Sequence, residues 1–200
     1  MRPTRLLLDA GGVLIADSGV GVLLRAIAHK MTSGSAQNFE ATHQDVFDVW
    51  NSRVRERFWS GHVSLDDAKH ELCAHFGFSG SDFDWVRAER ELPWAKRALS
   101  LCTDTAILSN HRSEWLLPAL KRFKLSASRV FVSDMLGSCK PSVACFARCL
   151  ELWGVSDAST VLFADDKLEN VSAARSLGMH AIIADDCGEW VSLAKSALKL

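Results

Sequence analysis

The sequence predicts an α/β fold: a parallel sheet with helices on both faces, interrupted after its first strand by an all-helical insert. Three observations predict it. Short apolar runs alternate with helical periodicity from the end of the insert to the C-terminus, which implies right-handed crossovers and a parallel sheet. Between about Asp17 and Leu92 the helical period persists and no strand pattern appears. The apolar share of 48% and the charged share of 24% over 200 residues suit one large domain, or one domain with a sizeable insert.

Leu6, Leu7 and Leu8 read as a buried strand that ends at Asp9, where Gly11 and Gly12 let the backbone turn. Val20–Met31 carries Val22, Leu23, Ala26 and Ile27 at helical spacing. After a small, polar loop from Thr32 to Asn38, Phe39–Trp59 reads as one long helix with Val46, Phe47, Val49, Trp50 and Val54 on its apolar side. Ser64 caps the next helix, with Asp66 and Asp67 in its first turn and Gly77 beyond its end. Ser81 is expected to start another helix through Phe83, Trp85 and Val86. Pro93–Leu101 follows as a helix and Thr105–Leu108 as a strand that runs into Ser109 and Asn110. Glu114–Phe123 is a helix, and Val130–Val132 is a strand followed by a loop to Lys140. Pro141 suits the first turn of a helix over Ser142–Trp153. Val161–Phe163 is a strand entering Asp165 and Asp166, and Asn170–Leu177 is a helix stopped by Gly178. His180–Ala184 is the last strand and Glu189–Leu200 the last helix. The expected division is a core of residues 1–16 and 93–200 and an insert of residues 17–92.

A net charge of −1 gives no electrostatic case for nucleic acid or an anionic membrane, so an anionic substrate must be bound by local groups. The six cysteines form no CxxC pair and read as reduced thiols; Cys145 and Cys149, four apart on a helix, read as core packing. Asp9 interrupts the apolar run that follows Arg2 and Arg5, against a signal peptide, and no apolar run is long enough to span a bilayer. The expectation is a cytoplasmic protein, monomer or homodimer, whose partner is a small molecule.

In a parallel sheet the strand ends share one edge, where ligands collect. That edge would bring together Asp9, Ser109, Asn110, Lys140, Asp165 and Asp166. Asp9 can serve as a nucleophile, and Ser109 and Asn110 can hydrogen-bond phosphate oxygens. Lys140 supplies positive charge to an anion and to crowded carboxylates. Asp165 and Asp166 can hold Mg²⁺, a hard ion that takes oxygen ligands.

These motifs resemble those of the haloacid dehalogenase-like (HAD) hydrolase superfamily. LLLDAGGVL resembles its first motif, AILSN its second, KP after FVSDMLGSC its third, and LFADDKLENVSAARSLGMHAI its fourth. The resemblance implies a Rossmann-like core, a helical cap domain, Mg²⁺ dependence and phosphatase activity on a small phosphorylated metabolite such as a sugar phosphate. By it, Asp9 is the nucleophile. Asp9, the backbone carbonyl of Gly11 and Asp166 would bind the metal, with Asp165 in support. Ser109, Asn110, Lys140 and Gly12 would contact substrate. One position departs from the family pattern. The second Asp of the first motif, the usual general acid and base, is Gly11 here. Metal binding through a backbone carbonyl survives that change, whereas proton transfer to the leaving group does not. Asp17, His62 and His111 are the candidate substitutes.

Other readings stand on different residues, and sequence alone does not separate a relative diverted to biosynthetic chemistry from a phosphatase. A metal-free dehalogenase has no use for the Asp165–Asp166 pair. A signalling receiver domain carries its acids early and its lysine late, and lacks a large helical insert. A relative with weak or diverted activity, or a binding role, rests on Gly11. Trp50, Trp59 and Trp85 fall in the insert and are expected to pack its helices.

Overall fold

A computed structural model describes residues 2–16, 19–33, 38–85 and 89–198. The chain divides into two compact units: Met1–Asp17 with Arg90–Leu200, and Ser18–Glu89.

The first unit is built on a five-stranded sheet. Its strands are β1 (Arg5–Leu8), β4 (Thr105–Ser109), β5 (Val130–Val132), β6 (Val161–Asp165) and β7 (His180–Ile183), in the order β5-β4-β1-β6-β7. Every pairing is parallel. Because side chains alternate across a strand, Leu6 and Leu8 face one core and Leu7 the other. The first core is covered by α5 (Ala95–Leu99), α6 (Ser113–Leu120) and α10 (Trp190–Leu198). The second is covered by α8 (Val143–Trp153) and α9 (Leu168–Ser176). Cys145 and Cys149 lie in this second core, where burial pushes the Cys145 thiol up to about 12 and raises that of Cys149 as well. The chain runs from β1 out to β5 on one side, then crosses to β6 on the other. The sheet therefore has its switch point between β1 and β6, where a crevice opens at the strand ends.

The second unit holds α1 (Gly19–Thr32), α2 (Phe39–Val49), α3 (Arg55–Trp59) and α4 (Leu65–His75). Its tryptophans pack on Phe58: Trp50 and Trp59 meet it edge-on at 5.2 and 4.7 Å, and Trp85 stacks at 5.4 Å. Asn38 and Ser64 cap α2 and α4 with their side chains.

Several elements differ from the sequence reading. The long helix Phe39–Trp59 contains a π-helical turn over Trp50–Val54, which turns both Trp50 and Val54 inward. The expected helix from Ser81 is a 3₁₀ turn, Gly80–Asp82, because Phe83 is extended (φ −137°, ψ 145°) and breaks the helical path. Val86 lies outside the described residues. A strand does precede Leu92: β3 (Arg90–Glu91) pairs antiparallel with β2 (Ile15–Ala16). Two residues are too few to show alternation. The stretch after β5, read as loop, begins with one helical turn, α7 (Ser133–Leu136). Pro141 stands before the helix cap rather than in the first turn, since Ser142 is the N-cap of α8.

Candidate active site

Leu8 pairs with Ala164, and the Asp9 N–H donates to the Ala164 carbonyl at 2.9 Å, so Asp9 and Asp165 end neighbouring strands side by side. Two carboxylates at this spacing repel unless a cation joins them. Lys140 does so: its Nζ lies 3.0 Å from Asp9 Oδ1 and 2.6 Å from Asp165 Oδ2, with its side chain only 1% exposed. Burial works to lower the Lys140 pKa, but the charges of Asp9 and Asp165 outweigh it and hold the ammonium above its usual range. Asp9 is raised by burial and by Asp165, against the lowering pull of Lys140 and of the Ser109 hydroxyl that hydrogen-bonds it. Asp166, which follows β6 and remains exposed, is pushed up to about 6 by partial desolvation and then by the charge of Asp9.

Lys140 comes from the loop between α7 and α8, not from a strand end. Asn110 places it: its Nδ2 donates to the Lys140 carbonyl at 2.7 Å, and its Oδ1 accepts from the Lys140 N–H at 2.8 Å. The Asn110 amide thus ties the Lys140 backbone in place at both of its ends. Asp165 is fully buried and its oxygens accept from Lys140 Nζ, the Lys167 N–H and Asn170 Nδ2. Asn170 sits in the first turn of α9, where a helix leaving β6 turns its side chain back to the strand end.

The turn after Asp9 is closed by local bonds. The Ala10 N–H donates to Asp9 Oδ1 at 2.6 Å and the Gly12 N–H to the Ile15 carbonyl at 2.9 Å. Gly12 has φ 72°, and a Cβ placed there would meet Asp166 Oδ2 at 2.8 Å. Only glycine lets the turn approach Asp166 this closely.

Asp9, Asp165 and Asp166 each offer an oxygen, all within 4.8 Å of one another. The donor set is all oxygen, and Asp166 is held up in pKa beside a second acid. Both features fit a hard divalent cation. Asp9, Asp165 and Asp166 are the groups that could hold such a cation, and Asp165 also pairs with Lys140.

A cavity of about 400 Å³ opens over these residues. Asp9, Gly11, Gly12, Ser109, Lys140 and Asp166 border it, all from the first unit. So do Trp94, Lys167, Asn170 and Asp186, which the sequence reading did not single out. Asn170 had a readable signal in its position four residues after Asp166; Trp94 and Asp186 had none. His111 borders the cavity, yet it is only 1% exposed and its Nδ1 accepts from the Arg112 N–H at 2.9 Å. That imidazole is packed into the loop rather than presented to a leaving group. His62 belongs to the second unit and bonds Ser60 Oγ at 2.6 Å. Asp17 lies outside the described residues.

The strand order and the helical insertion after β1 give the chain the fold of HAD family enzymes. No family model matches the sequence. The chain is 28% identical to a sesquiterpene phosphatase, astK, of Aspergillus oryzae over 158 residues, covering 72% of this chain and 78% of that one. It shares its fold with a HAD family enzyme of Bacteroides thetaiotaomicron solved with magnesium and inorganic phosphate (TM-score 0.71, 19% identity, 96% and 98% of the two chains). A defluorinating L-2-haloacid dehalogenase superposes with TM-score 0.60 at 17% identity, over 90% of this chain and 80% of the other.

Proposed function

We propose that the chain is a Mg²⁺-dependent phosphomonoester hydrolase that acts through an aspartyl-phosphate at Asp9. The observation that carries this reading is the contact of Lys140 Nζ with Asp9 Oδ1 at 3.0 Å, at the floor of the cavity and beside Asp166. Lys140 keeps Asp9 ionised and supplies positive charge to an incoming phosphate. An oxygen of Asp9 attacks phosphorus, the bond to the leaving oxygen breaks, and water then hydrolyses the acyl phosphate. Bound Mg²⁺ would supply charge neutralisation to the phosphoryl oxygens. Ser109 borders the cavity with Asp9 and would donate to the same phosphate, and the Asp9–Gly12 turn frames it.

Gly11 leaves the leaving group without the family's usual acid, a contribution of about 10²–10⁴-fold. Aryl, anomeric and acyl phosphates depart more easily and should outpace simple alkyl phosphates. The substrate is a small phosphorylated metabolite. Sugar phosphates fit the family pattern, and the relative named as a sesquiterpene phosphatase adds isoprenoid phosphates to the classes to test. Among the described residues no helix is long and apolar enough to cross a membrane. The test is release of inorganic phosphate from sugar, acyl, aryl and isoprenoid phosphates, with Mg²⁺ and with EDTA. Mg²⁺-dependent release from at least one class is expected. No release from any, or full release in EDTA, would contradict the reading.

A further inference from the structure

The cavity over Asp9 is bordered by two kinds of side chain. Lys140, Asp166, Lys167 and Asp186 are charged. Ala16 ends β2, and Leu92 and Trp94 follow β3; these three are apolar. Trp94 is fixed in place. Its Nε1 donates to the Val13 carbonyl at 2.9 Å, on the same loop that carries Asp9, Gly11 and Gly12. Its ring lies against Gly188, where a Cβ would come within 2.6 Å of Cε3 and 2.8 Å of Cδ2. Gly188 is itself tethered, its carbonyl accepting from Arg97 Nη2 at 3.1 Å, and it has φ 82°. A half-buried indole held at its polar edge and against one glycine leaves little rotamer entropy to lose on binding.

We propose that Trp94, with Leu92 and Ala16, forms the leaving-group subsite and selects phosphomonoesters of apolar alcohols. The inference rests on the phosphatase reading above and names its substrate class. The phosphoryl group is held at Asp9 and Lys140, so the group bonded to it must extend along the cavity, and the only side-chain hydrocarbon surface among the bordering residues of the first unit is this one. Apolar contact can also offset the missing acid at Gly11, because binding energy from the non-reacting part of a substrate can be used to orient the reacting part.

The test pairs esters with similar leaving-group acidity and different apolar area: 2-naphthyl against phenyl phosphate for turnover, and the two corresponding phosphonates for binding by calorimetry. Wild type should favour the naphthyl member of each pair by about tenfold or more, through KM and Kd. Trp94→Ala should bring both ratios to near one, and Trp94→Phe, which keeps a flat ring, should recover part of the preference. Equal affinity for the two phosphonates in wild type, or ratios unchanged in a folded Trp94→Ala protein, would overturn the subsite. Failure of the hydrolase reading would look different: no phosphate release from either ester, whatever the phosphonates do.

Discussion

Gly11 and Gly12 adjoin, yet they do different work. Gly12 carries the positive φ of the turn, 72°, and backs directly onto Asp166. Gly11 occupies the position where the family pattern has its acid. Gly11→Asp therefore places a carboxyl beside the cavity without asking an L-residue to take the left-handed conformation that Gly12 holds. The expected outcome is a selective gain for alkyl phosphates, up to about 10²–10⁴-fold, with little gain for aryl ones. An unchanged alkyl-to-aryl rate ratio in the folded variant would show that proton transfer is already supplied by another group. Asp166 gives a pH signature. Its pKa of about 6 lies above the ordinary value of 3.8, so the metal-free folded state holds this proton more tightly than the unfolded chain. Protons therefore compete with Mg²⁺ as pH falls through 6, and that competition relaxes above it. Mg²⁺ affinity should fall by about tenfold per pH unit below that point and level off above it, as calorimetry would show. Asp166→Asn should weaken binding at every pH and reduce this dependence to what Asp9 contributes.

At the scale of elements, the site depends on how one loop is tied to one strand end. Lys140 reaches Asp9 because both ends of the Asn110 amide bond the Lys140 backbone. Asn110→Ala removes both bonds and should cost about 1–3 kcal/mol of stability. It should also lower kcat more than it weakens Mg²⁺ binding, since Asp9 and Asp166 stay in place; equal losses in both would contradict a positioning role. This tie was not legible in the sequence, where Asn110 reads equally well as a phosphate ligand. Pairs thirty residues apart leave no local pattern. What was legible is local: apolar runs ending in acids at β1 and β6, and the helical period of the insert. The π-helical turn, the two-residue β3 and the α7 turn are not legible in the sequence because each is shorter than the window in which periodicity shows. The place of Trp94 is not legible for another reason: it packs against the first core and borders the cavity through the Val13 carbonyl and Gly188, which only the folded chain brings to it.

At the scale of the whole molecule, the net charge of −1 gives no long-range attraction for an anionic substrate. Binding must then come from buried groups such as Lys140, which salt screens weakly. Raising ionic strength from about 0.05 to 0.3 M should change kcat/KM by no more than about twofold; a steep fall would point instead to steering by exposed charge. The bordering residues of the cavity come from the first unit, and Asp9 stands at the switch point of its sheet. Transfer of a phosphoryl group to Asp9 can be read out by borohydride trapping. Mixing the protein with acetyl phosphate and Mg²⁺, quenching, and reducing with borohydride converts an aspartyl-phosphate to homoserine, which peptide mass spectrometry can locate. Homoserine at position 9 is expected, absent in Asp9→Asn, whose turnover should fall by about 10³-fold or more. Homoserine at any other position, or phosphate release by Asp9→Asn at near wild-type rate, would contradict the account.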